Sequence, residues 1–373
     1  MLKIGLITFH RAINYGAVLQ AYALQKKFND YGSDCTIIDF RCHDLEHFYK
    51  PFLVYKGSLK YMVKQSIKMA LSYSDRKKKK RKFEAFVKNN LKVTESITDS
   101  SELSDKDFDI FVTGSDQVFN PAITGTDSEV YYLSFTNRKK YSYAASFGKD
   151  IVTNNIETLI RNNLNDFQKI SVREESGVQI IRHIIGRDVT VNVDPTLLID
   201  GSEWRKIEEK PRAVSEPYIL VYNMLTSEYI FRAADALSRQ TGIGVVFVNH
   251  KNDKNRFKYR GFKYLEAFSP QEFLWLIDHA DYVLTSSFHG TVFSVLFRKQ
   301  FLTVLASTEP RNVRLFSLLD MFDLMNRIVI DNDNTANIVE KIDWELIQDS
   351  ISACRDDALE YIQQIINDNN ELL

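Results

Sequence analysis

The chain has 373 residues, of which 44% are hydrophobic and 26% charged, and its formal net charge is −1. That length exceeds one ordinary core and points to two domains, while the near-neutral balance excludes a global electrostatic pull toward nucleic acid. No apolar run approaches the ~20 residues of a membrane span, and the amino terminus runs straight into a strand without a basic-then-apolar leader, so a cytoplasmic protein is expected. Cys35, Cys42 and Cys354 are odd in number and lack metal-ligand spacing, so free buried thiols are expected and a metal centre is not.

Lys3 to Phe9 is a short apolar strand. Ala17 to Tyr31 carries Val18, Leu19, Tyr22, Leu24 and Phe28 at helical spacing before Gly32, and Cys35 to Phe40 reads as the next strand. This βαβ pattern predicts a parallel sheet with a right-handed crossover. The intervening loop, His10 to Gly16, is polar but is not a GxGxxG, so a dinucleotide fingerprint is absent there. Asn14 and Gly16 suit either a turn or a ligand contact. From about 43 to 91 the composition shifts to helix formers and lysine, an expected helical insertion with an unbroken basic run from Arg76 to Lys82. That run reads either as a solvated helix face or as a contact with an anionic bilayer or polyanionic acceptor. Nucleic acid is disfavoured because aromatics are not interleaved with the charges.

Phe108 to Thr113 is a strand ending in Gly114-Ser115-Asp116-Gln117, a polar tetrad that either brings backbone close to a ligand or forms an ordinary loop. Lys140 to Ala145 is another strand and Asn155 to Phe167 a helix. The strand Lys169 to Val172 leads to Arg173, whose guanidinium either forks a carboxylate or phosphate or pairs with a nearby acid. Val189 to Val193 runs into Asp194-Pro195-Thr196, where the acid before proline is held extended.

Asp200 to Pro217, charged and broken by glycine and proline, reads as a linker. Behind it come a strand at Tyr218 to Tyr222, a helix at Glu228 to Arg239, a strand at Gly244 to Val248, and a helix capped by Ser269-Pro270 that ends near Ala280. Asp281 to Gly290 then reads as strand and tight turn, with His289 in the turn and a helix starting at Thr291. Phe301 to Leu305 is the next strand, Arg311 and Arg314 lead into a helix through Phe322, and Trp344 to Asn367 is the last helix. The expected divisions are 1–200, 201–335 and a helical tail at 336–373 packing back on the first domain. Two α/β domains in series imply a cleft.

Ligands of such sheets sit outside the carboxyl ends of the strands, where helix starts offer N–H groups to anions. Arg173, Arg311 and Arg314, together with glycine-containing turns, point to an anionic small ligand carrying phosphate. P-loop, HExxH and GxSxG patterns are absent, which removes the best signals for nucleotide hydrolysis, zinc proteolysis and serine hydrolysis. His289 is the candidate proton-transfer group, although a lone histidine in a turn also serves structural ends.

The segments Ile4 to His10 with Asn14 to Leu24, Thr113 to Pro121, Ser171 to Glu174, Val193 to Leu198 and Ser286 to Thr291 together resemble the polysaccharide pyruvyl transferase family, in the family's order from residue 3 to about 325. The resemblance implies an α/β fold of two Rossmann-like domains with parallel sheets facing a central cleft, GT-B-like. It implies an enzyme that transfers pyruvate from phosphoenolpyruvate to two hydroxyls of one sugar, giving a cyclic ketal in a polysaccharide or its precursor and releasing phosphate. Phosphoenolpyruvate is then a co-substrate and no cofactor is needed; the other partner is a saccharide acceptor, lipid-linked at the inner membrane face if the basic run touches a bilayer. His289 matches the family's histidine and is the expected catalytic residue. Arg173, Ser287, Gly290, Arg311 and Arg314 are the expected donor and anion ligands, and Asn14, Gly16, Gly114, Ser115, Asp116, Gln117 and Asp194 the expected acceptor or cleft residues. Some members carry arginine two residues before the histidine, where this chain has Ser287. A nucleotide-sugar-dependent glycosyltransferase and a catalytically silent saccharide-binding protein are the alternatives.

Overall fold

The computed structural model of the protein describes residues 1–48, 59–148, 152–224, 228–248, 254–305, 312–330 and 340–369. The chain divides into two compact units: Met1–Leu53, Glu84–Ile199 and Ile351–Leu373 form the first, and Val54–Phe83 and Asp200–Ser350 the second. The helical segment expected as an insertion in the first domain is therefore shared between the units, its long helix Leu59–Asn90 running from the second into the first.

The first unit is built on an all-parallel sheet of β1 (Lys3–Ile7), β2 (Asp34–Ile37), β3 (Ile110–Thr113), β4 (Lys139–Ser142) and β5 (Phe167–Lys169), in the order β2-β1-β3-β4-β5. Strand β3 is buried along its whole length and β1 at every residue but its first, as a parallel sheet covered on both faces requires. The helix Tyr15–Asp30 starts earlier than its apolar spacing suggests because the Asn14 side chain accepts from the Gly16 amide and caps it. The run 169–172, read as one strand, is split: Lys169 ends β5, while Ser171–Val172 is β6, paired in parallel with β7 (Thr190–Val191) in a separate small sheet. Residues of the last helix, Trp344–Asn367, complete this unit from Ile351 onward. There Tyr361 Oη donates to the Ser142 carbonyl at 3.0 Å, and the Asn369 amide donates to Tyr141 Oη at 2.9 Å.

The second unit carries a parallel sheet of β8 (Tyr218–Tyr222), β9 (Gly244–Val248), β10 (Lys263–Leu265), β11 (Tyr282–Thr285), β12 (Gln300–Leu305) and β13 (Ile328–Ile330), in the order β10-β9-β8-β11-β12-β13. The helix Pro270–Asp278 feeding β11 has a full capping box, Ser269 with Glu272, and proline in its first turn. In each large sheet the strand order turns back beside the first strand, between β1 and β3 in one and between β8 and β11 in the other. Such reversals open a crevice at the carboxyl ends of the strands, where α/β folds bind ligands.

Candidate active site

The reversal in the second sheet is where His289 sits. Strands β8 and β11 pair with Thr285 opposite Tyr222, so the segments that follow both emerge side by side. The Thr285 hydroxyl donates to the Tyr222 carbonyl at 2.9 Å and accepts from the Ser287 amide at 3.1 Å. Ser287 Oγ then accepts from the Gly290 amide at 3.3 Å and caps the helix Phe288–Leu296. This helix begins three residues before the expected Thr291, because the hydroxyl of Ser287 supplies the cap. His289 thus lies in the first helical turn rather than in the turn before it. Gly290 is fixed by packing, since a Cβ there would lie 2.3 Å from Thr285 Oγ1.

Around this turn three groups converge. The His289 imidazole is 7% exposed and meets the Phe288 ring edge-on, with centroids 5.1 Å apart at 88°. The Arg314 guanidinium lies 5.7 Å from the centroid of the same Phe288 ring, within cation–π range. Phe288 therefore joins the proton-transfer candidate to an anion ligand candidate. Arg311 lies outside the described residues. Across the reversal Asn223, directly after β8, accepts from Ser286 Oγ at 3.0 Å. In the sequence Asn223 is an ordinary residue after a strand; its place opposite the histidine turn emerges only when β8 and β11 are known to be neighbours.

The residues expected at the acceptor side gather at the first sheet's reversal, with one exception. Asn14 and Gly16 form the helix cap beyond β1, and Gly114 leaves room that a Cβ would close to 2.9 Å against Thr8. The buried Ser115 accepts on its carbonyl from Thr8 Oγ1 at 3.0 Å. Asp116 adopts φ 74°, a left-handed backbone unusual for a side-chain-bearing residue, and accepts from the Gln117 amide at 2.8 Å. Strain of that kind gathers at ligand-binding positions. Half-buried Gln117 is steadied by Asn120 at 3.1 Å. Asp194 is the exception: it is 1% exposed, and its carboxylate serves Thr196 and Arg173.

Of the two readings open to Arg173, anion fork or acid pair, the side chain is found paired with acids. Its side chain is buried among acids, 2.7 Å from Asp194, 3.8 Å from Asp116 and 4.0 Å from Glu174. A donor anion brought to it would face three carboxylates, and the Asp194 pair already engages one nitrogen of the guanidinium. The basic run is also partly turned inward. Lys82 pairs with Glu272, half-buried Lys79 faces the Phe83 ring at 5.7 Å, and Lys77, Lys78 and Arg81 remain exposed. Cys35 and Cys42 are buried free thiols, and Cys354 is a half-buried one.

Metal-binding side-chain types meet, among the described residues, at Glu208, Asp278 and His279, whose ligand atoms lie within 4.8 Å of one another. Their side chains are already engaged. Arg205 clamps Asp278 through bonds of 2.6 and 2.8 Å, and His279 faces Glu208 at 3.1 Å.

A model of the polysaccharide pyruvyl transferase family matches residues 14–308, most of the chain. The chain belongs to that family. Membership makes it a transferase, and the family's chemistry is pyruvyl transfer to a polysaccharide. No curated protein matches the chain. Among solved structures, S. aureus MnaA with UDP is similar with a TM-score of 0.53 at 11% identity, over 98% of this chain and 97% of that one. UDP-N-acetylglucosamine 2-epimerase from Rickettsia bellii gives 0.52 at 12% identity, over 99% and 98%. The Neisseria meningitidis UDP-GlcNAc 2-epimerase bound to UDP-GlcNAc gives 0.51 at 10% identity, over 99% of each chain. Likeness at such identity shows the fold, α/β and GT-B-like. Among the described residues, no helix is long and apolar enough to cross a membrane.

Proposed function

We propose that the protein transfers pyruvate from phosphoenolpyruvate to two hydroxyls of one sugar, forming a cyclic ketal and releasing phosphate. In balance, C2 of the donor gains two C–O bonds and loses its bond to phosphate oxygen. One hydroxyl proton ends on C3, converting methylene to methyl, and the other leaves with phosphate. The reaction needs a group that moves a proton between hydroxyl and methylene and a cradle for a carboxylate and a phosphate.

The observation that carries this reading is the pairing of His289 and Arg314 through Phe288 at the second sheet's reversal. His289 takes the proton of the attacking hydroxyl and relays it. Arg314 supplies a guanidinium close to the turn although Ser287 stands where some members have arginine, and the first-turn amides of the helix Phe288–Leu296 add donors for an anion. Asn14, Asp116 and Gln117 present amide and carboxylate groups suited to acceptor hydroxyls.

The test is acceptor-dependent phosphate release from phosphoenolpyruvate, screened with mixed oligosaccharides. His289→Ala is expected to lower kcat by roughly 10²–10⁴-fold, the usual worth of a positioned acid–base group, with the fold retained. Release at the parental rate would remove His289 from the chemistry. A thermal shift from a nucleotide sugar, with none from phosphoenolpyruvate, would replace the donor.

A further inference from the structure

The turn that carries His289 is tied to the facing strand by a side-chain link as well as by backbone. Ser286 Oγ donates to Asn223 Oδ1 at 3.0 Å and accepts from the Met224 amide at 2.6 Å, while the Ser286 amide donates to the Tyr222 carbonyl at 3.2 Å. The serine hydroxyl thus has its proton given to one residue and a lone pair given to the next, which fixes its rotamer. The same bond orients the amide of Asn223, carbonyl oxygen toward the turn. Asn223 is 3% exposed whereas Met224 is 50% exposed, so the link lies at the very edge of the buried region. A buried amide is costly unless its bonds are made, and this one makes a bond to the segment leading into His289.

We propose that Asn223 is a positioning residue for His289, acting through Ser286. The amide–hydroxyl link sets where the segment Thr285–Ser287 leaves the sheet, hence where the helix starts at Phe288, hence where the imidazole stands. Reaction geometry is sensitive to such placement: a displacement of ~1 Å costs on the order of 10²-fold in rate. The kinetic arm of the test rests on the pyruvyl-transfer reading; the spectroscopic arm does not.

In phosphate-release assays, Asn223→Ala and Ser286→Ala are each expected to lower kcat by roughly 10–100-fold while the KM for phosphoenolpyruvate stays near the parental value. Both remove the Asn223–Ser286 bond, and Ser286→Ala also removes the Met224 bond, so the double variant should be no slower than Ser286→Ala alone, and Ser286→Thr, which keeps the hydroxyl, should stay close to the parent. Losses that multiply, or a change confined to KM, would overturn the proposal. If the parent releases no phosphate from phosphoenolpyruvate, the donor assignment has failed, and the link is judged on the ligand-free protein by NMR of the histidine rings. Asn223→Ala and Ser286→Ala should then each move the His289 resonances and leave those of His183 and His279 in place. Unmoved His289 resonances in both variants would overturn the link.

Discussion

His10 and His289 both follow strands at the carboxyl edge of a sheet, and their surroundings assign them different work. His10 is 1% exposed; Nδ1 donates to the Thr8 carbonyl at 3.2 Å and Nε2 faces Asp39 Oδ1 at 3.0 Å. With both ring nitrogens engaged, it clamps the loop after β1 to the end of β2. Asp39 records the strength of that clamp. Burial pushes its carboxyl up, but the hydrogen bond from His10 and the charges of His10, Arg11 and Arg41 together outweigh burial and hold it below the ordinary carboxylate range. A carboxyl depressed in the folded state contributes stability above its unfolded value of about 3.9, and that contribution is lost as pH falls through the folded value. Asp39→Asn should therefore be less stable than the parent at pH 7 by about 1.5–3 kcal/mol, the worth of a charge-assisted hydrogen bond. The gap should narrow below about pH 4. Urea titrations at pH 7 and pH 3.5 measure this, and a gap independent of pH would show that Asp39 acts through packing alone.

At the scale of elements, what was legible depended on contrast with flanking sequence. Tyr218–Tyr222 and Gly244–Val248 stand out as β-branched and aromatic runs between polar turns, and Trp344–Asn367 as a sustained helical pattern; all three fall at the observed bounds. The edge strands β10 and β13, three residues each, are too short to show any period. The start of the histidine helix was misplaced because Phe288 and His289 suit a turn as well as a helix, and only the Ser287 cap decides. That cap yields a prediction with two possible signatures. Ser287→Ala should lower stability by ~1 kcal/mol through the lost cap. Gly290→Ala should cost more, about 1–3 kcal/mol, because Thr285 Oγ1 is held by Tyr222 and Ser287 and cannot move aside. Denaturant midpoints of the two variants test the order. A Ser287→Ala protein with a parental midpoint but a raised KM for phosphoenolpyruvate would mean that Ser287 serves the donor more than the helix.

Over the whole molecule, the motif order pointed to the family and to the histidine turn, because those blocks are local in sequence. Long-range charge pairing was not legible: nothing near Arg173 in the chain says that Asp116 and Asp194 will close on it, so its role as an anion ligand could not be weighed against burial. The last helix also has its partners far back in the chain, and there the sequence led to the expectation that it packs back on the first domain. From Ile351 it belongs to the first unit, where Ala358, Ile362 and Ile365 are wholly buried and Tyr361 reaches Ser142. Trp204, Trp275 and Trp344, the three tryptophans of the chain, all lie in the second unit. Tryptophan fluorescence consequently follows the second unit, whereas far-ultraviolet circular dichroism follows both. Tyr361→Ala removes a large buried side chain and should cost roughly 3–5 kcal/mol. If the units unfold independently, that loss appears as an earlier phase in the dichroism with the fluorescence transition left in place. Transitions that move together would show instead that the last helix couples the stability of one unit to the other.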